Sequence, residues 1–304
     1  MNGQTLSKKK KMKTGTKVFV IVMLAYPILH FLLTWVIVNI RSVLLVFQKS
    51  DFFTGEYVWA GTLNIRMFFN TFKTDPKAYV KFLNSFLYMP VTCLISVPLA
   101  TFCSYCLFKK MPLAPFFRVI FFLPNVIPVV ALTIAFRLSF DPGTGVMYEL
   151  LRAMGVQSKF FGASPSAQIM VFIYCIWAGL GYDVILLSGA MGRIPDSVLE
   201  SARLDGVGFF REFFTFVVPM IWPTLITLNI LGMTTVLTLY LQPYLLTGGK
   251  FYTSTIAMYV FNLAQTGKNL ETAATTGLLC SLVWMPIVLG VRKFMSKFFR
   301  DVDY

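Results

Sequence analysis

The segment Arg193-Ile194-Pro195-Asp196-Ser197-Val198-Leu199-Glu200-Ser201-Ala202-Arg203-Leu204-Asp205-Gly206, continuing through Phe209-Phe210-Arg211-Glu212-Phe213-Phe214 to Phe216, Val218 and Pro219, decides how the rest of the chain is read. It is a polar, helix-forming island between two long apolar runs, at about 167–191 and 221–245. Pro195 and Asp196 read as a helix start, and Ser197-x-x-Glu200 has the spacing of a capping box, in which two side chains satisfy otherwise unpaired N–H groups. Val198, Leu199 and Ala202 recur at helical spacing, and Gly206 stops the helix. A second short helix is expected over about 209–217, after which Pro219 and Pro223 mark the return to apolar sequence. A folded helical insert between two apolar runs implies a docking role.

Composition places those runs in a membrane. Of 304 residues 57% are hydrophobic and 13% charged, against about 25% charged in an average soluble domain, and the mean hydropathy is +0.70. A crossing helix needs about 20 apolar residues. Six runs qualify, at about 18–47, 82–108, 116–140, 167–191, 221–245 and 272–294. Pro90, Pro98, Pro124 and Pro128 fall inside them, which membrane helices tolerate better than soluble ones. The expected fold is all-α: a polytopic membrane protein of six transmembrane helices, with a cytoplasmic helix–turn–helix between spans four and five. The expected organisation is a basic cytoplasmic tail over 1–17, a membrane domain over 18–295 containing the loop 192–220, and a cytoplasmic tail over 296–304.

The net charge of +14 resembles a nucleic-acid signal until its distribution is examined. The tight clusters, Lys8 to Lys13, Lys109-Lys110 and Arg292 to Arg300, flank apolar runs on one side. That is the positive-inside pattern, which puts both termini in the cytoplasm and argues against nucleic acid. The first run is about twice a signal-peptide core and has no small-residue cleavage site, so it reads as a retained span. Within the loop, Arg193, Arg203 and Arg211 face Asp196, Glu200, Asp205 and Glu212. Anionic lipid surfaces attract polybasic segments, so this balance favours a protein partner. The competing reading is an amphipathic connector lying on the bilayer.

On the other side, residues 48–81 mix aromatics with Lys and Asp and read as short interfacial helices. Asp141-Pro142-Gly143-Thr144-Gly145 is a turn before a short helix at about 147–154, and Thr247-Gly248-Gly249-Lys250 is another turn before an amphipathic segment at about 255–264. The five cysteines all lie in apolar runs, and the single Cys103-x-x-Cys106 pair has no second pair or nearby His.

No P-loop, HExxH or GxSxG pattern occurs, so no catalytic residue, metal ligand or bound cofactor is expected. Polar groups within spans are costly and mark candidate solute contacts. These are Trp177, Tyr182 and Asp183 in span four, near Tyr174, and Asn229, Thr234, Tyr240 and Gln242 in span five. Hydroxyl-directed hydrogen bonds and aromatic stacking suit a sugar; hydrogen bonding between helices accounts for the same residues.

The loop resembles that of binding-protein-dependent ABC permeases, whose pattern is Glu-Ala-Ala, three residues, Gly, nine residues, Ile-x-Leu-Pro. Here Glu200-Ser201-Ala202, Gly206 and Phe216-x-Val218-Pro219 keep every spacing, while Ser201, Phe216 and Val218 depart in residue type. The Asp141 to Gly145 turn and Leu246-Thr247-Gly248-Gly249 look like outer-loop features of MalF-type sugar permeases. The resemblance covers about 18–295.

It implies that Glu200, Ser201, Ala202, Asp205, Gly206 and Pro219 belong to a loop seated in a groove of a separate ATPase. It further implies a second homologous permease, an ABC ATPase dimer using ATP and Mg, an extracytoplasmic solute-binding protein, a sugar or oligosaccharide substrate, surrounding lipid, and alternating access in a bacterial cytoplasmic membrane. Other solutes within the class (glycerol phosphate, an amino acid, a polyamine) stay open. So does a stand-alone secondary transporter with Asp183 as its proton carrier.

Overall fold

The structure, a computed structural model, describes residues 14–51, 53–156, 159–267 and 269–298. The basic stretch Lys8 to Lys13 and Arg300, on which the two expected tails rest, lie outside the described residues. The first span is helix α1, Thr14–Val46, with no part of its most apolar window buried. At about 1.5 Å per residue its 33 residues exceed the roughly 30 Å hydrocarbon core. Its most apolar window is exposed on every side, as in a helix facing lipid or another membrane chain.

The far end of α1 is pinned by a feature that the reading of 48–81 as helices missed. Strands β1 (Gln48–Ser50) and β2 (Tyr57–Trp59) form an antiparallel hairpin in which Gln48 pairs with Trp59. Three-residue strands are too short to show alternation in sequence. Buried Asn64, in helix α2 (Leu63–Thr74), donates to the carbonyls of Val46 at 3.0 Å and Gln48 at 2.7 Å. This satisfies carbonyls that the end of α1 leaves open.

Two further helices cross unbroken through the middle of the chain, α3 (Ala78–Phe108) and α6 (Ser166–Met191). The third expected span does not. It divides into α4 (Ala114–Val126) and α5 (Val129–Ser139), bent by 107°. Pro128 is the cause: it lacks an N–H and forces the preceding Ile127 into extended backbone, at ψ 135°. Pieces of 13 and 11 residues reach only about 20 and 17 Å, so neither crosses alone. A short helix, Val146–Ala153, lies between α5 and α6.

The fifth span is likewise interrupted. Helix α7 (Asp196–Leu204) and helix α8 (Phe209–Met220) form the loop, and α8 meets α9 (Trp222–Thr238) at a 76° bend over Ile221. Leu239 is extended, and α10 (Leu241–Thr247) follows. Gly248 and Gly249 then take φ of 63° and 71°, the left-handed turn expected there, before α11 (Ile256–Gln265) and the last span α12 (Leu270–Met295). The described chain therefore holds four unbroken helices able to cross a membrane, and up to six crossings if each bent pair counts as one. It is an all-α polytopic membrane fold apart from the small hairpin.

Packing gathers α3, α6, α8 and α9 into one core at the loop end, with Ala100, Tyr105, Leu187, Met191 and Val217 almost fully buried. Small residues allow the close approaches, as usual where no hydrophobic effect drives helices together in lipid. Ser104 donates across to the Val184 carbonyl at 3.2 Å. Trp222 and Trp284 tie α9 to α12 through indole N–H bonds to the Met295 and Met233 carbonyls, both 2.9 Å.

At Gly181 the backbone of α4 lies directly on α6, and a Cβ there would overlap the Phe121 carbonyl and the Asn125 amide. Gly189 on the same helix has nothing within 4 Å of that position. Gly181→Val should therefore cut the yield of monodisperse detergent-solubilised protein and lower its Tm by several degrees, overpacking costing roughly 1–3 kcal/mol. Gly189→Ala should leave both unchanged.

Candidate functional site

The loop is built by a helix stop. Its first helix, α7, begins directly after Pro195, so Ser197 lies inside the first turn and the expected capping box is absent: no side chain caps the helix. Leu199, Ala202 and the preceding Ile194 are buried, docking α7 on the bundle. At the other end Gly206 has φ +71°, its N–H bonds to the Arg203 carbonyl at 3.0 Å, and the Val207 N–H reaches the Ala202 carbonyl at 3.0 Å. This pair of bonds is a Schellman motif, in which a left-handed residue closes the last helical turn. Gly208 is extended, and α8 starts at Phe209 in a new direction.

One side of this helix–turn–helix faces outward. Asp196, Ser197, Glu200, Ser201, Arg203 and Asp205 are exposed, and Leu204 is 89% exposed. Phe210 and Phe214 add exposed rings on α8. Ala202 is the buried member of the motif, and Pro219 sits half-buried in the last turn before the Ile221 bend. Ionic groups around protruding apolar side chains form a surface suited to a protein groove.

The other side of α8 is turned inward. Glu212 is 2% exposed, and both of its carboxylate oxygens accept from Lys109 Nζ, at 2.8 and 2.9 Å. The Tyr105 hydroxyl donates to Glu212 Oε1 at 3.1 Å. Sequence reading missed this cluster, because Lys109 served there only as an orientation marker and Glu212 only as a loop charge.

A second site lies in the middle of the bundle. An open cavity of about 640 Å³ is bordered by α3, the α4–α5 break, α6, and α9 with the residues just after it. Its size falls in the roughly 300–1,000 Å³ range of small-molecule sites. Its polar lining consists of Tyr88, Thr92 and Ser96 from α3, Asn125 at the break, Tyr174, Tyr182 and Asp183 from α6, and Thr235 and Gln242. Among the described residues that line it, Asp183 is the only carboxyl and there is no Lys, Arg or His. The irregular backbone at Ile127, Pro128 and Leu239 borders this cavity, and non-helical backbone in a membrane protein is tolerated where it lines a cavity or is buried in protein.

Of the span residues singled out in the sequence, Tyr182, Asp183 and Gln242 border this cavity. The other four lie outside its lining. Trp177 stacks on Phe136, with centroids 5.6 Å apart; the Asn229 amide donates to the Leu225 carbonyl at 2.9 Å; Thr234 bonds Leu231 within its own helix; and Tyr240 stacks on Phe261. The α3 residues and Asn125 were not singled out. The signals available were Pro90, after which α3 widens into a π turn over Val91–Ser96, and the Pro124-Asn125-x-x-Pro128 spacing.

Comparison with known proteins gives concordant matches. Residues 96–301 match the family described as binding-protein-dependent transport system inner membrane component. The chain is 31% identical over 230 residues to the probable ABC transporter permease protein YurN of Bacillus subtilis, covering 73% of this chain and 77% of that one. It is 24% identical over 261 residues to the sn-glycerol-3-phosphate transport system permease protein UgpA of Pectobacterium atrosepticum, covering 84% and 86%. The fold superposes on a chain of a bacterial alginate ABC transporter solved with a periplasmic protein bound to an alginate pentasaccharide. The TM-score is 0.80 at 18% identity, over 95% of this chain and 98% of that one.

Proposed function

The chain belongs to the family of binding-protein-dependent transport system inner membrane components, and from that premise we propose that it carries an uncharged, polyhydroxylated solute, a sugar or oligosaccharide, through its central cavity. It is a multi-pass transmembrane permease subunit of an ABC-type importer for carbohydrate-like or polar solutes, and not itself a catalytic enzyme. Such an importer works with a partner permease, an ATPase and a solute-binding protein.

In our reading the membrane domain covers about 18–295 and both termini face the cytoplasm of a bacterial cell. The loop holding Glu200, Ser201, Ala202, Asp205, Gly206 and Pro219 seats in the groove of one ATPase subunit. ATP and Mg are used there and not on this chain. ATP-driven closure of the ATPase pair moves the spans between inward- and outward-open forms, in concert with the second permease.

The observation that carries this reading is the presence, in one bundle, of an outward-facing helix–turn–helix and a central, mostly apolar cavity into which a few hydroxyls, amides and one carboxyl are set. The cavity lining supports the solute class. Hydroxyls, amides and rings can satisfy a sugar's donors and acceptors, whereas a phosphate or uronate would bury its charge without a cation, a costly placement. Similarity to a glycerol-3-phosphate permease favours a second reading, an anionic solute, and the lining opposes it. A stand-alone carrier would need no ATPase.

The docking arm is tested by placing a single cysteine at Leu204, after replacing the five native cysteines, beside single cysteines along the ATPase groove. Crosslinks should form in the assembled complex, and their absence at every position would overturn the docking. The solute arm is tested by thermal shift of the cognate binding protein. Neutral mono- or oligosaccharides should raise its Tm, and stabilisation by glycerol phosphate alone would replace the sugar reading with the anionic one.

A further inference from the structure

Lys109 is the residue that follows α3, and Glu212 closes the first turn of α8, 103 positions later. Their contact is not a surface ion pair. The Glu212 side chain is 3% and the Lys109 side chain 19% exposed, and both carboxylate oxygens are engaged. The Tyr105 hydroxyl, one turn back along α3, donates to Glu212 and is also within 3.2 Å of the Phe209 carbonyl. Around these groups Phe102 and Tyr105 pack against Phe209 and Phe213, with Tyr105 centroid distances of 4.7 and 5.0 Å. The last two turns of α3 and the first turn of α8 thus form one packed block around a bidentate ion pair whose carboxylate is buried.

The covalent route from the loop to the fifth span is different. There α8 meets α9 at the 76° bend, so a push on the loop can be absorbed at Ile221. The route through Lys109 and Glu212 has no such bend. It leads along α3 to Ser96, Thr92 and Tyr88, which form one wall of the cavity, starting roughly 20 Å away at the helical rise.

We propose that the Lys109–Glu212–Tyr105 cluster is a latch that makes the loop helix α8 and the second span α3 move as one body, so that displacement of the loop is delivered to the cavity wall formed by α3. This rests on the reading of the loop as the ATPase contact. Lys109 and Glu212 are positioning residues, since they act through α3 and not on the solute.

The experiment uses the whole complex in nanodiscs, with spin labels at Met111→Cys beyond the end of α3 and Arg211→Cys on α8. With Lys109 and Glu212 intact, the distance between labels should be a single narrow distribution, unchanged between nucleotide-free and ATP-bound states. Lys109→Met or Glu212→Gln should broaden it and make it nucleotide-dependent. The same variants should retain their ATPase subunits and basal ATP hydrolysis but lose at least tenfold of the stimulation by loaded binding protein. Lys109→Arg should retain stimulation, and the swapped pair Lys109→Glu with Glu212→Lys should recover at least half of it.

An unchanged distance and stimulation in the single variants would overturn the latch. Loss of the ATPase subunits from those variants would overturn it too, by assigning the pair to assembly. If the Leu204 crosslinks fail in the otherwise wild-type complex, the docking reading falls, and the 111–211 distance still decides whether α8 and α3 are one body.

Discussion

Gly206→Pro should lower solute uptake by roughly two orders of magnitude while leaving the chain inserted and the bundle folded. A lost αL position costs roughly 1–3 kcal/mol, and each 1.4 kcal/mol is tenfold. Gly206 has φ +71°, a value proline cannot adopt because its ring holds φ near −65°. Proline also removes the N–H that bonds the Arg203 carbonyl, and the Val207–Ala202 bond depends on the same turn. The consequence is directional: α8 would leave α7 at another angle, and the exposed side chains on the two helices would no longer present one surface.

A Cβ at this position meets nothing within 4 Å, so the effect is backbone strain and not crowding. That allows a graded series. Gly206→Asn, which tolerates the left-handed region, should transport at close to the wild-type rate; Gly206→Ala should be mildly impaired; and Gly206→Pro should show the roughly hundredfold loss. Uptake, ATP hydrolysis and membrane yield are measured on all three. Wild-type uptake by the proline variant would remove the loop's geometry from the mechanism.

What was legible in the sequence was local. The two loop helices and the turn between them followed from Pro195, the apolar spacing of Leu199 and Ala202, and Gly206, each acting within a few residues. The spans followed from hydropathy, but hydropathy has no direction. The run 116–140 read as one crossing although Pro128 folds it through 107°. The capping box failed for a related reason: Ser197 and Glu200 have the right spacing, but the helix starts at Asp196 with Pro195 at the cap, so Ser197 lies two residues too late to be the cap.

The site divides the same way. Asp183, Tyr182 and Gln242 stood out as polar residues in apolar runs, but Tyr88, Thr92 and Ser96 did not, because hydroxyl-bearing residues are ordinary in membrane helices. The Lys109–Glu212 pair was invisible because nothing in either residue's neighbourhood indicates a partner 103 positions away. Both misses concern α3, which had been read only as a span and whose middle and C-terminal end touch the two candidate sites.

Asp183→Leu should raise KM for the transported solute or lower kcat/KM by roughly 5- to 150-fold, the range set by leaving a buried polar partner unsatisfied at about 1–3 kcal/mol. Asp183 is the only carboxyl among the described residues that line the cavity, and it shares that lining with Tyr182, Gln242, Asn125 and Thr92. A sugar hydroxyl placed there would donate to the carboxyl and accept from an amide or phenol across the space. Asp183→Asn keeps one acceptor oxygen and should lose less than the Leu variant.

Competing accounts of Asp183 predict other patterns. If it only bonds a neighbouring helix, Asp183→Leu should lower Tm and yield while the transport constants of the surviving protein stay unchanged. If it carries a proton in a stand-alone transporter, Asp183→Asn should abolish uptake as fully as Asp183→Leu, and wild-type uptake should respond to a proton gradient without ATP. The sugar-contact reading requires the graded loss, Leu worse than Asn, with basal ATP hydrolysis retained in both. Introducing a cation gives the sharpest contrast. Asp183→Arg should abolish transport of the neutral sugar, and efficient uptake of that sugar by the Arg variant would exclude this carboxyl from the solute path.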